Sequence, residues 1–201
     1  MIGPHNLQVI QLRPDEVQLV EHFARQAEVG GTSHVRGSDR QETLRDDQLV
    51  GQLGECALSR YLCGSSLLYA ITRTMRNLEP TTGDGGGDLL GTNIDVKTSV
   101  MRYSPEPRQY RLLVRPAELH PNTMYVLALV YPDWRTTREV ILVGWATRED
   151  LPDLPADEGP FRGAYVLPAP HLHPLPPLRW TPTSSDPTWT SAGSPTTTFT
   201  P

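Results

Sequence analysis

The chain has 201 residues and a formal net charge of −5, enough length for one domain with a sizeable core plus a tail. A hydrophobic content of 37% and a mean hydropathy of −0.39, with no apolar run near the ~20 residues that span a bilayer, exclude a membrane-embedded protein. The acidic balance counts against simple phosphate gripping, which usually shows as basic patches.

The opening MIGPHNLQVIQL has no basic segment followed by an apolar core, so a cytoplasmic location is expected. Residues 6–12 alternate weakly and suit a short strand. Pro14 sits where a first helical turn tolerates it, and Asp15 and Glu16 favour a helix N-terminus. Val17, Leu19, Val20, Phe23 and Ala24 carry the helical spacing to about residue 27, with Gly30-Gly31 as the stop. Residues 32–40 are polar and read as a loop, in which His34 is a surface histidine.

A second helix is expected over residues 42–62. Leu49, Leu53, Cys56 and Ala57 make one apolar stripe, and Leu58 and Leu62 begin another near Glu55, so this helix should be well buried. Gly51 and Gly54 each cost about 1 kcal/mol relative to Ala. Close approach to a neighbouring strand is the expected compensation, and it would set Glu55 near the sheet. Cys56 and Cys63 on one helix would lie about 10 Å apart along the axis. That exceeds the ~7 Å Cα limit for a disulfide, so two buried reduced thiols are expected.

Residues 66–72 (SSLLYAIT with its flank) read as a first core strand. Residues 83–87, GDGGG, turn tightly, and Asp88-Leu89-Leu90 would begin a strand. Gly91-Thr92-Asn93 reads as a turn, and residues 94–99 alternate, with Ile94, Val96 and Thr98 on one face and Asp95, Lys97 and Ser99 on the other. A hairpin would bring Asp88 close to Asp95 and Lys97. Further strands are expected over residues 110–114, 124–131 and 139–145, with helical turns over 116–119 and 146–151 and an edge strand within 161–167. MYVLALVY is nearly continuously apolar, as a central strand should be. The fold class expected is α/β: a mixed central sheet flanked by helices over residues 1–167. Prolines and then Ser and Thr dominate the rest, so residues 168–201 are expected to form an extended tail, suited to bind a partner protein or a second copy or to wrap the domain. His171 and His173 lack nearby acids or cysteines in sequence and read as exposed linker.

Two carboxylates converging on one point repel unless a cation sits between them or one is protonated. Mg²⁺ suits such a place, because it takes oxygen ligands, keeps waters and completes its shell with phosphate. Lys97 would then hold or help deprotonate the attacking water and offset charge on the phosphate. The bare D-x-K triplet is more often a solvated strand face with a weak ion pair. Here the upstream aspartate, the glycine approach and Glu55 on a preceding helix raise its weight. The arginines fall in local groups, Arg36, Arg40 and Arg45, then Arg73 and Arg76, then Arg102, Arg108, Arg111 and Arg115. They read equally as a phosphate-facing rim or as ordinary solvated charge.

With those residues in place, residues 44–145 resemble the PD-(D/E)xK nuclease superfamily, whose fold is restriction-endonuclease-like. Its signature is an acid at the start of one core strand, (D/E)-x-K on the next and often a glutamate on the preceding helix. Asp88 matches the first acid, Asp95-Val96-Lys97 the second element and Glu55 the helix glutamate. No Pro precedes the first aspartate: Gly87 precedes Asp88, and Gly83 precedes Asp84. The first acid therefore lies between Asp88 and Asp84, with Asp88 preferred because it begins an apolar run. Gly144 to Arg148 is a weaker match to the family's closing strand. The resemblance implies a Mg²⁺-dependent nuclease acting on DNA, with Mn²⁺ as a substitute ion. It implies Glu55, Asp88, Asp95 and Val96 as metal ligands, Lys97 at the water and Gln109 as an auxiliary polar residue. The competing expectation is an inactive binding module of the same fold within a larger nucleic-acid machine. A Ca²⁺ loop at GDGGGD ranks last, since it lacks alternating oxygen ligands and a terminal glutamate.

Overall fold

The computed structural model describes residues 6–29, 41–78, 87–102 and 104–176. Strands β1 (Gln8–Gln11), β2 (Ile94–Val100), β4 (Met124–Val130) and β5 (Glu139–Ala146) form a four-stranded sheet in the order β1-β5-β4-β2. β1 and β4 run antiparallel to β5, whereas β2 runs parallel to β4, so the sheet is mixed and β2 lies on its edge. A separate ribbon pairs β3 (Arg111–Val114) with β6 (Tyr165–Pro168). Helices α1 (Pro14–Val29), α2 (Gln41–Cys63) and α3 (Leu67–Leu78) precede β2, and the single-turn α4 (Trp134–Thr137) joins β4 to β5. The chain is thus α/β, as its patterning predicts. No helix among the described residues is long and apolar enough to cross a membrane.

β4 explains the layering. Val126, Ala128 and Val130 join Ile94, Val96, Val140 and Leu142 in a core shared with α1 and α2. Tyr125, Leu127 and Leu129 join Ile141, Val143, Leu112, Val114 and Leu167 in a second core under the β3–β6 ribbon. A strand that feeds both cores must be apolar at every position, which is why MYVLALV shows no alternation.

The helices are tied by charge as well as by packing. Glu16 is 1% exposed, caps the start of α1 by accepting from the Arg13 N–H, and takes Arg60 Nη1 of α2 at 2.9 and 3.0 Å. Gly54 is the point where α2 meets the sheet. A Cβ there would stand 2.0 Å from Thr98 Oγ1 and 3.1 Å from Val96 Cγ1, so only a bare Cα permits this approach. That is the compensation expected for a glycine inside the helix. Gly51 does not share it, since a Cβ there would meet nothing within 4 Å.

Four expectations give way. Residues 66–72 are not a strand: they enter α3, whose Leu68, Tyr69 and Thr72 turn towards α1 and α2 while Leu67, Ile71 and Met75, four apart, stay exposed. A short apolar run does not distinguish strand from helix. Ser59 decides it, because its Oγ accepts the Tyr69 N–H at 3.1 Å and satisfies a first-turn donor of the helix. The packed chain also runs past residue 167. Ala169, Leu172 and Leu175 are buried, His173 pairs through its backbone with Trp145, and Tyr61 donates its hydroxyl to the Pro176 carbonyl. Residues 168–176 therefore belong to the domain, held by apolar burial that proline content alone conceals. His173 is no free linker, since it lies on the Trp145 ring and bonds Asp150 at 2.8 Å. Finally, Cys56 is buried but Cys63 is exposed, and both are free thiols. The expected loop over residues 32–40, the GDGG segment with Asp84, and the tail beyond residue 176 lie outside the described residues.

Candidate active site at the sheet edge

The site is organised by β2 having one free edge. An edge strand leaves backbone donors and acceptors to be covered. Asp88 covers them. Its N–H donates to the Ile94 carbonyl at 2.7 Å, and its Oδ2 accepts the Val96 N–H at 2.6 Å. Residues 88–91 form a turn and not the expected strand, closed by the Thr92 N–H and hydroxyl donating to the Leu89 carbonyl. Gly87 makes the closure possible, because a Cβ on it would stand 2.1 Å from the Thr92 carbonyl oxygen. The turn does what the hairpin was expected to do: it fastens Asp88 to Val96, the neighbour of Asp95, close enough for its charge to raise the Asp95 carboxyl.

Lys97 follows two residues on, with its Nζ 2.9 Å from Asp95 Oδ2. Its other side meets Glu118 Oε2 at 3.1 Å. The 3₁₀ turn Pro116–Glu118 presents that carboxylate, which caps the turn by accepting the Arg115 N–H at 3.0 Å. Tyr125, paired with Asp95 across β2 and β4, is fully buried and fixes the same loop, its hydroxyl accepting from the His120 N–H and donating to the Glu118 carbonyl. Lys97 is therefore clamped between two carboxylates.

On the other side of the edge, Gly54 brings Glu55 to the site. Glu55 is 6% exposed, and one of its oxygens accepts from Arg73 of α3. Its Oε2 is buried without a hydrogen-bond partner, as is Arg73 Nε. Arg73 stands over the Tyr69 ring, whose hydroxyl donates to Gln52 Oε1 at 2.7 Å. One turn on, Arg76 donates to the Gly87 carbonyl at 2.7 Å and lies 3.8 Å from Asp88 Oδ1. The Thr72 hydroxyl of α3 accepts the Leu90 N–H, so α3 holds the Asp88 turn from both ends.

Electrostatics follow from this crowding. Burial pushes the Glu55 carboxyl up to about 7; Arg73 opposes the rise and Asp88 adds to it. Burial also raises Asp95, with Asp88 beside it reinforcing the shift and Lys97 opposing it. For Lys97, burial acts to lower the pKa, but Asp95 and Glu118 outweigh it and the ammonium is held charged. Glu118 is lowered despite burial, by the Arg115 N–H and Lys97.

No known protein family, characterised protein or solved structure matches this chain. What the site can do rests on its own atoms.

Of the residues singled out in sequence, Lys97 pairs with Asp95, Asp88 raises the Asp95 carboxyl from the adjoining turn, and Glu55 on α2 is held by Arg73. Val96 buries its side chain against α2 and offers a cation only its main-chain carbonyl. Gln109 is not part of the cluster: it is exposed on the 3₁₀ turn Pro107–Gln109, and no hydrogen bond joins it to the acids or Lys97. Glu118, not singled out in sequence, stands beside Lys97. Among the described residues no three His, Cys, Asp or Glu side chains stand close enough to share a metal ion, and Glu55 is paired with Arg73. Arg73 and Arg76 are not a solvated rim but counter-ions within the site. Their spacing to Tyr69 and Thr72 was the available signal, and it is visible only if the segment is read as a helix. Among the other arginines, Arg108 pairs with Glu106 and Arg111 stands over Phe161.

Proposed function

We propose that the chain is a metal-dependent nuclease hydrolysing phosphodiester bonds in DNA, with the site formed by Asp88, Asp95, Lys97 and Glu55. The observation that carries this reading is a lysine clamped between Asp95 and Glu118 at a sheet edge, with Asp88 bonded onto the same strand at Val96, the residue before it. Structural economy does not favour setting two acids against each other, whereas a divalent cation relieves their repulsion. The donors fit a hard ion: two carboxyls already together and a third acid nearby with a buried, unpartnered oxygen. Asp88 and Asp95 would hold Mg²⁺ or Mn²⁺, with the Val96 carbonyl and Glu55 as further oxygen donors. The bound ion would supply Lewis-acid polarisation of the phosphodiester and a more acidic water.

The chain's own groups divide the remaining work. Lys97 hydrogen-bonds the attacking water and offsets charge building on the phosphoryl oxygens. Glu118 holds that ammonium protonated and fixes its direction. Arg76, with a side chain 25% exposed, is placed to contact a phosphate entering over Asp88.

The test is cleavage of plasmid and linear DNA with Mg²⁺ or Mn²⁺. Asp95→Ala and Lys97→Ala should each lower the rate by about a hundredfold or more, as loss of a group acting on developing charge does. Cleavage that survives both substitutions would refute the roles assigned. A second reading, an inactive module of the same class, is favoured by one observation: Arg73 already neutralises Glu55. It requires duplex binding with no cleavage under any divalent ion.

A further inference from the structure

We propose that Arg73 is a positioning residue that keeps Glu55 out of the metal set until a DNA phosphodiester draws its guanidinium away, so that substrate binding completes the metal site. The inference rests on the nuclease reading above. Glu55 feels the charge of Asp88 but forms no three-acid cluster with it and Asp95, and one of its oxygens is committed to Arg73. The other oxygen is buried and bonded to nothing, and so is Arg73 Nε. A pair satisfied on both sides would be a finished structural bridge. This one leaves an acceptor and a donor unmatched in a buried place, each without the hydrogen bond that would offset its desolvation. Both groups gain partners if the guanidinium turns to a phosphate and the carboxylate turns to a cation.

The supporting helix is built for such a change. Arg73 and Arg76 lie one turn apart on α3, and the outer of the two is the more open, with side chains 16% and 25% exposed. A phosphodiester carries two non-bridging oxygens that match a guanidinium fork. Arg76 would take the first contact and Arg73 the next. On the opposite face of α3, Leu67, Ile71 and Met75 are 43–64% exposed, so the helix is anchored by one face alone and can shift without opening a core on its other side.

The experiment is a Mn²⁺ titration of the full chain, followed by electron paramagnetic resonance, with and without a saturating short duplex carrying cleavage-resistant phosphorothioate linkages. The duplex should tighten Mn²⁺ binding by about tenfold or more, and by reciprocity Mn²⁺ should tighten duplex binding by the same factor. Glu55→Gln should stay at the weak end when duplex is added. Arg73→Gln should start at the tight end without duplex. Equal Mn²⁺ affinity with and without duplex in the unsubstituted chain would overturn the inference, as would a loss of duplex-free binding in Glu55→Gln, which would make Glu55 a ligand from the start. If Arg73→Gln does not fold, the Glu55→Gln comparison decides alone. Asp95→Asn separates the two levels. Mn²⁺ binding that depends on Asp95 but ignores duplex sinks only the role of Arg73, whereas binding indifferent to Asp95 sinks the nuclease reading with it.

Discussion

Gly54 and Gly51 lie three residues apart in α2, and alanine at the two should act in opposite directions. In a helix interior Ala is favoured over Gly by about 1 kcal/mol. At Gly51 nothing opposes that gain, since an added Cβ meets no atom within 4 Å. Gly51→Ala should stabilise the fold by about 0.5–1 kcal/mol. At Gly54 the same methyl meets Thr98 Oγ1 at 2.0 Å, Val96 Cγ1 at 3.1 Å and Thr98 Cβ at 3.2 Å. Rotating Thr98 removes the first clash but breaks its hydroxyl's 3.4 Å approach to the Gly51 carbonyl, and the crowding by the two carbons remains. Forced methyls in a packed core cost about 1–3 kcal/mol. Crowding from both Val96 and Thr98 places this one near the top of that range, and the propensity gain offsets about 1 kcal/mol. The net expectation for Gly54→Ala is about 2 kcal/mol of destabilisation, or roughly 4–8 °C in Tm for a domain of this size. Urea denaturation of the two variants in parallel measures it. A Gly54→Ala protein as stable as the Gly51→Ala protein would refute the close approach of α2 to β2, and with it the delivery of Glu55 to the site.

Stability should also depend on pH through Glu55. Its folded pKa of about 7 lies above the ordinary value of 4.5, so its contribution is fully present below about pH 4.5 and is lost as pH rises through 7. A difference of that size corresponds to something on the order of 3 kcal/mol. Glu55→Gln should flatten denaturation midpoints between pH 5 and 8, and an unaltered slope would count against burial as the cause. The packing of residues 168–176 gives a second measurement. Leu172 is 2% exposed, so Leu172→Ala should cost about 2–5 kcal/mol. A chain ended after Leu167 should lose at least as much relative to one ended after Pro176. Equal midpoints would return residues 168–176 to the status of a tail.

The strands of the sheet were legible because their patterns are strong: MYVLALV is apolar throughout, and IDVKTS alternates. Helices α1 and α2 were legible from apolar spacing and, for α1, an acidic first turn. The Gly54–Glu55 pair was legible by asking what a helical glycine makes room for. The misreadings share one physical origin, which is that the deciding interaction is distant in sequence. α3 is helical because of Ser59 and two facing helices, and nothing within SSLLYAIT says so. Glu118 reaches Lys97 from a turn whose PAE motif announces only its own cap. Arg73 and Arg76 looked like surface charge until α3 turned them inward. The acids near the edge of β2 were singled out by type and order, and the pairing of Arg73 and Arg76 with them was not foreseen because both lie on the segment assigned the wrong period.

Asp88 is where a structural and a chemical account part most cleanly. Covering the free edge of β2 needs an acceptor for the Val96 N–H and a backbone donor for Ile94, and asparagine supplies both. The edge alone gives no reason for a carboxylate, since that charge faces Asp95 and raises its pKa. In Asp88→Asn the amide oxygen can still accept from Val96, the amide N–H can donate to Asp95, and the repulsion disappears. Removing the charge sacrifices only the 3.8 Å pairing with a part-exposed Arg76, worth about 0–1 kcal/mol. Asp88→Asn should therefore leave stability unchanged or raise it by about 1 kcal/mol, while Mn²⁺ binding and DNA cleavage fall to background. Denaturation midpoints and Mn²⁺ titration on the same preparations test both halves. A variant that loses more than about 2 kcal/mol, the cost of an unmet buried group, yet still binds Mn²⁺ would make Asp88 a structural brace. A variant that gains stability and loses the ion would show a carboxylate kept at the fold's expense, as a ligand requires.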